Sequence, residues 1–154
     1  MKVRIAVMQV ALLLAALVAA AGLAVTPAMA KSPLNHIAGF WLMQVTPDPG
    51  TGFPSYVNVV AITDGGQIVN VDPAVGASVG GWERLPGRAF AATFTGFLPG
   101  PQTLRYVVRA TVSLDASGQN VGGPFHTDVL DLSGNLLFSY QGTVSGQRQA
   151  VRGY

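Results

Sequence analysis

Short apolar segments separated by turn residues run along most of this chain. The clearest is residues 103–114, in which apolar and mostly polar positions alternate. Its apolar positions are Leu104, Tyr106, Val108, Ala110, Val112 and Leu114. Successive side chains of a strand point to opposite faces, so this pattern predicts a strand with one buried face. Because no helical period is found after residue 30, the fold is predicted to be all-β.

Eight such segments are predicted, with Gly, Pro, Asn and Asp concentrated between them. They are residues 39–46, 56–63, 67–72, 79–85, 88–98, 103–114, 121–131 and 136–147. Turn sequences such as Asp64-Gly65-Gly66 and Asp131-Leu132-Ser133-Gly134 favour short connections between antiparallel neighbours. Eight strands joined in this way can close into an up-and-down β-barrel, which leaves no exposed edge. We therefore predict an eight-stranded antiparallel barrel.

The first 30 residues have the pattern of a secretory signal peptide. A short basic region precedes an apolar run from Ile5 to Val25, and small residues at Ala28 and Ala30 predict cleavage before Lys31. The alternative is an uncleaved membrane anchor, since the apolar run is long enough to cross a bilayer. Cleavage is favoured, and it predicts a secreted or envelope location without further membrane contact.

The rest of the chain is predicted to be one domain. We expect an N-terminal extension at 31–38, a barrel at 39–148 and a C-terminal tail at 149–154. Two of the nine Lys and Arg residues lie in the predicted signal, which leaves seven against seven Asp and Glu. Such a neutral chain is not expected to bind nucleic acid. The absence of cysteine excludes disulfides, thiolate metal sites and cysteine nucleophiles.

Two short motifs resemble those of the calycin barrels, the lipocalin and avidin group. They are the Gly-x-Trp at Gly39 and Trp41 on the first strand and Arg148 at the end of the last. The resemblance implies that Trp41 plugs one end of the barrel and that the Arg148 guanidinium lies over its ring. The chain is short for a lipocalin and lacks a clear C-terminal helix. Residues 81–84 with 90–94 also look like small secreted bacterial barrel proteins of unassigned function.

Aromatic residues are the best candidates for a ligand site. Those predicted to project into the barrel are Phe90, Phe94, Tyr106, Phe138 and Tyr140. Such residues either fill a barrel or line a cavity at its open end. Small residues on the same inward faces favour a cavity, and these are Ala92, Ala110 and Gly142.

Few residues of the sequence suggest catalysis or metal binding. His126 and Asp128 share one face of the seventh strand, but the opposite face is more apolar, so both are predicted to point outward. His36 lies in a segment predicted to be mobile. No catalytic residue, metal site or cofactor is predicted.

Three functions remain open. The favoured one is a secreted barrel that binds a small apolar ligand without chemistry. The second is an enzyme similar to allene oxide cyclase or dirigent proteins, which would be supported by an inward charged residue; the nearest candidates are Glu83 and Arg84. The third is a solid barrel that binds partners through its loops, at 47–55 and 73–79.

Overall fold

The computed structural model describes residues 36–151, which form eight β-strands. The strands are β1 (Gly39–Pro47), β2 (Tyr56–Ile62), β3 (Gln67–Asp72), β4 (Gly76–Arg84), β5 (Ala89–Leu98), β6 (Leu104–Leu114), β7 (Asn120–Leu130) and β8 (Leu136–Gln149). The predicted signal peptide, residues 31–35 of the predicted extension and residues 152–154 lie outside the described residues. No helix that could span a membrane is found among residues 36–151.

Every strand pairs antiparallel with its neighbour in sequence, and β8 pairs with β1 to close the sheet. The predicted eight-stranded up-and-down barrel is therefore confirmed. Most predicted strand limits agree within two residues. The largest difference is at β4, which begins at Gly76 rather than at residue 79, so residues 76–79 of the loop predicted at 73–79 belong to the barrel wall.

The connections before and after β7 are each held by an aspartate that accepts hydrogen bonds from its own turn. Asp131 accepts from the backbone amide of Asn135 at 2.8 Å and from its side-chain amide at 2.7 Å. Asp115 accepts from Asn120 in the same way, at 3.2 and 2.8 Å. Gly134 completes its turn with a φ of 92°, a conformation that residues with a side chain rarely adopt.

One end of the barrel is packed solid. The buried cluster there consists of Ile37, Trp41, Phe90, Val112, Leu114 and Val121. The Trp41 side chain has no exposed surface, and its indole nitrogen donates a 2.8 Å hydrogen bond to the Ile37 carbonyl. The indole thus fills the barrel without leaving a buried donor unpaired. This end is called the closed end below.

Arg148 lies across the closed end. Its guanidinium carbon is 4.4 Å from the centre of the Trp41 ring, within range of a cation–π interaction. Its nitrogens donate to the carbonyls of Gly118 at 2.9 Å, Ala38 at 2.6 Å and His36 at 2.5 Å. The segment 36–38 is therefore hydrogen-bonded to the barrel, whereas the sequence analysis expected a mobile segment there. Burial lowers the pKa of Arg148, but three carbonyl acceptors stabilise its charge.

Over part of their length, strands β2 and β3 reverse the usual pattern of apolar residues inside and polar residues outside. Their buried polar residues are Asn58, Asn70 and Asp72, and their exposed apolar residues are Val57, Val59, Val69 and Val71. The pairing of β1 with β2 sets this register, since Trp41 opposite Val60 places both of those side chains inside. The polar side chains of β2 and β3 consequently lie inside the barrel, toward the end opposite Trp41.

Trp41→Ala should lower the free energy of unfolding by about 3 to 5 kcal/mol, because it removes a fully buried indole and leaves a cavity. Chemical denaturation with an unchanged m-value would measure the loss. A loss below about 0.5 kcal/mol, as for a surface residue, would contradict the role of Trp41 as the barrel plug.

Arg148→Ala should cost about 2 to 3 kcal/mol, because it removes a charged donor from three carbonyls and a cation from the Trp41 ring. Arg105→Ala is the matched control, since Arg105 is exposed on the outer face of β6. Urea denaturation of both variants would compare them. Equal losses for the two would show that the contacts of Arg148 do not stabilise the closed end.

Acid should weaken the barrel through its turns. The side-chain amide of Asn120 holds the pKa of Asp115 below its ordinary value, and that of Asn135 does the same for Asp131. A lowered folded-state pKa stabilises above about pH 4, the unfolded value, and that stabilisation is lost as the pH falls further. Tm should therefore fall below about pH 4, and less steeply in the double variant Asp115→Asn, Asp131→Asn. An equally steep fall in the double variant would assign the acid sensitivity to other groups.

Candidate ligand cavity

A cavity of about 290 Å³ lies at the end of the barrel opposite Trp41, called the open end. Its lining residues come from every strand except β4 and from the loops after β1 and β3. Most are apolar or aromatic: Val45, Phe53, Pro54, Tyr56, Ala74, Val75, Phe94, Leu98, Tyr106, Val108, Phe125, Val129, Phe138, Tyr140 and Val144. The polar ones are Asn58, Asn70, Asp72 and Thr127. A largely apolar hollow with a few polar groups is typical of small-molecule sites.

A glycine in the wall gives Tyr106 its position. Gly96 on β5 pairs with Tyr106 on β6, and a Cβ atom at Gly96 would lie 2.5 Å from the Tyr106 hydroxyl and 2.8 Å from Ser78 Cβ. Only a residue without a side chain leaves that room. The phenol therefore lies over the backbone of β5, along the wall of the cavity.

Four of the five aromatic residues predicted to line a cavity do so: Phe94, Tyr106, Phe138 and Tyr140. The fifth, Phe90, lies in the packed cluster of the closed end with 1% of its surface exposed. It makes an edge contact with Trp82 at a centroid distance of 5.7 Å. Alternation assigned Phe90 and Phe94 correctly to the same face. It does not indicate how far along the barrel axis a residue lies. That position decides whether an inward residue belongs to the packed cluster or lines the cavity.

Phe53, in the loop between β1 and β2, covers the mouth of the cavity. Its ring centre is 4.7 Å from that of Tyr140 and 6.3 Å from that of Phe138. The start of the loop is anchored to β8, since the Asp48 amide donates to the Gln141 carbonyl at 2.9 Å. The sequence analysis missed Phe53 because a loop has no periodicity that would indicate the direction of a side chain.

The polar residues of β2 and β3 were also missed. Asn70 donates from its side chain to the Ser78 hydroxyl at 3.1 Å. Asp72 accepts from the backbone amides of Ala74 at 2.7 Å and Val75 at 3.3 Å, which forms the turn into β4. The signal was present as two polar residues spaced by two on β3, but without the register nothing placed them inside.

Three buried polar atoms in the wall have no hydrogen-bond partner within the described part of the protein. They are Asn58 Oδ1, the Tyr106 hydroxyl oxygen and Thr127 Oγ1. Burial raises the pKa of Tyr106, and the neighbouring Ser78 hydroxyl opposes that rise only in part. Ser78 and Tyr106 do not meet with the geometry of a hydrogen bond, so the Tyr106 hydroxyl has no partner among the described residues. Burial also raises the pKa of Tyr56, with further contributions from Tyr140 and Asp72. Both phenols are thus neutral donors at physiological pH.

The other candidates lie on the outer surface. His126 and Asp128 point outward as predicted, 2.9 Å apart, and Asp128 also contacts Arg109 at 2.6 Å and Ser139 at 2.7 Å. These contacts lower the pKa of Asp128 to about 2, and the hydrogen bond from Ser139 contributes most to that shift. Glu83 is exposed outside the cavity. In the described part of the chain, no group of three or more His, Asp or Glu residues could hold a metal ion.

The closed antiparallel barrel is compatible with the calycin-like resemblance of the sequence. The position of Arg148 over Trp41 agrees with what that resemblance implies. Comparison of the chain with family models, curated proteins and solved structures finds no match, and the functional argument therefore depends on the cavity itself.

Proposed function

We propose that this protein binds a small, mainly apolar molecule in the open-end cavity and releases it unchanged. The observation that carries the proposal is the contrast between the two ends of one barrel. The same strands that pack Trp41 and Phe90 into a solid cluster leave about 290 Å³ unfilled at the other end. A hollow lined by aromatic and aliphatic side chains favours ligands that lose apolar surface to water on binding.

The cavity volume limits the size of the ligand. Ligand sites in proteins have volumes of roughly 300 to 1,000 Å³, so this cavity is at the lower limit. A compact ring system or a short chain fits such a volume better than a long acyl chain. Phe53 at the mouth would cover a bound molecule and exclude water from it.

An enzyme similar to the cyclisation barrels is a second candidate, supported by Asp72. An inward charged residue among the aromatic ones would support such an enzyme, and Asp72 fits that description better than the exposed Glu83 and Arg84. One carboxylate oxygen is engaged in the turn after β3, which leaves the other for proton transfer. Recovery of a ligand that is chemically unchanged after long incubation would favour binding over catalysis.

Export remains part of the proposal. The apolar run and the small residues before Lys31 support a cleaved signal and a location in the envelope or outside the cell. The hypothesis of partner binding through loops required a solid barrel, and the cavity favours a ligand instead.

Val108→Phe should weaken binding of the neutral fluorophore N-phenyl-1-naphthylamine by about tenfold or more, because the larger side chain occupies cavity volume. Val108 lines the cavity from the middle of β6. Fluorescence titration of the purified residues 31–154 would measure the affinity.

Val107→Phe is the matched control, since the adjacent position faces outward on the same strand. It should bind the fluorophore as the unaltered protein does. Failure of the unaltered protein to bind this fluorophore and a bare polypeptide mass in native mass spectrometry would together contradict the proposed function.

A further inference from the structure

We infer that the ligand is an uncharged molecule with an apolar body and a head group that both donates and accepts hydrogen bonds, such as an amide or a hydroxyl. This inference rests on the proposed binding function. It concerns one side of the cavity, the polar wall, which we define as the lining residues Asn58, Asn70, Asp72, Tyr106 and Thr127 together with Ser78, which does not line the cavity but accepts a hydrogen bond from Asn70.

The strand pairings place much of the polar wall in one row across the barrel. Asn70 on β3 lies opposite Ser78 on β4, Ser78 lies opposite Gly96 on β5, and Gly96 lies opposite Tyr106 on β6. Because Gly96 has no side chain, the Tyr106 phenol lies over it and toward Ser78. The polar side chains of Asn70, Ser78 and Tyr106, from three different strands, therefore lie next to one another beside one part of the cavity.

The unpartnered atoms of the wall indicate what is to be bound there. Asn58 and Tyr106 are each 6% exposed and Thr127 is 2% exposed, yet one polar atom of each has no partner in the described protein. Buried polar groups are nearly always hydrogen-bonded, because an unmade bond in a low-dielectric site is unfavourable. All three residues line the cavity, so a small movement of each side chain would bring its polar atom to a bound head group.

The chemistry of these atoms defines the head group. Asn58 Oδ1 only accepts and therefore requires a donor, whereas the hydroxyls of Tyr106 and Thr127 can donate as well as accept. A group with both functions, such as a primary amide, can satisfy more than one of them at once. Ethers and simple hydrocarbons cannot donate and would leave the Asn58 oxygen unpaired.

The charge of the wall excludes an anionic head group. Asp72 is a buried carboxylate, 8% exposed, and no Lys, Arg or His from residues 36–151 lines the cavity. A ligand carboxylate would meet a like charge without a counterion, which is strongly unfavourable where water is excluded. Two backbone amides already donate to Asp72, so its charge does not require a cationic ligand.

Three naphthalene derivatives of similar shape test this inference: 2-naphthamide, 2-methylnaphthalene and the anion 2-naphthoate. Each would be titrated against bound N-phenyl-1-naphthylamine on the unaltered protein. We expect the amide to bind about tenfold more tightly than the methyl compound, the scale of one or two buried hydrogen bonds. The naphthoate should bind most weakly of the three.

Thr127→Val and Tyr106→Phe, each nearly isosteric, would show whether the preference arises at the polar wall. Both should reduce the advantage of the amide severalfold and leave affinity for 2-methylnaphthalene nearly unchanged. The matched control is Thr143→Val, at an exposed position on the outer face of β8, which should alter neither affinity. In the absence of ligand, Thr127→Val should not lower Tm, because it removes a hydroxyl without a partner.

The outcomes separate this inference from the proposed function. Equal affinities for the amide and the methyl compound, or tightest binding of the naphthoate, would overturn the neutral polar head group while small-molecule binding stands. An amide preference that survives in both variants would overturn the assignment to these residues. Failure of all three compounds and of the fluorophore to bind would overturn the binding function itself.

Discussion

The packing of the Arg148 guanidinium on the Trp41 ring is the interaction on which the architecture depends. It joins the first strand to the last, and its hydrogen bonds reach segment 36–38 and the turn between β6 and β7. Closure of the sheet requires β1 and β8 to meet in one register, and these residues pair directly in it. Once that register is set, period-two alternation determines which side chains of the remaining strands face inward.

Closure at one end leaves the other end available for binding. The aromatic and aliphatic cluster around Trp41 supplies apolar burial where the strands converge on the plug. The open end can then contain polar residues and unfilled volume, which are unfavourable in a core. Asn58 and Thr127, each with an unpartnered atom, are examples of groups that reduce stability and are suited to recognition.

The sequence analysis predicted a cavity, but partly for a reason that the structure does not support. Small inward residues were expected to leave space. Gly142 instead allows close approach of a neighbouring strand, since a Cβ atom there would lie 2.3 Å from the Thr46 carbonyl oxygen. Ala110 packs against the closed-end cluster. Gly96, which was not counted among those small residues, is the one that leaves room beside the cavity wall, and the Tyr106 phenol lies there.

The sequence by itself determined the fold class, the number of strands and the inward face of β6, because alternation and turn chemistry are local properties read over a few residues. It also identified four of the cavity aromatics. Tertiary structure alone decided that Phe90 belongs to the plug, that Asn58 and Asp72 lie inside, and that Phe53 covers the mouth. Each of these depends on the register between strands or on the path of a loop. Register is set by closure of the whole ring, so no single segment contains it.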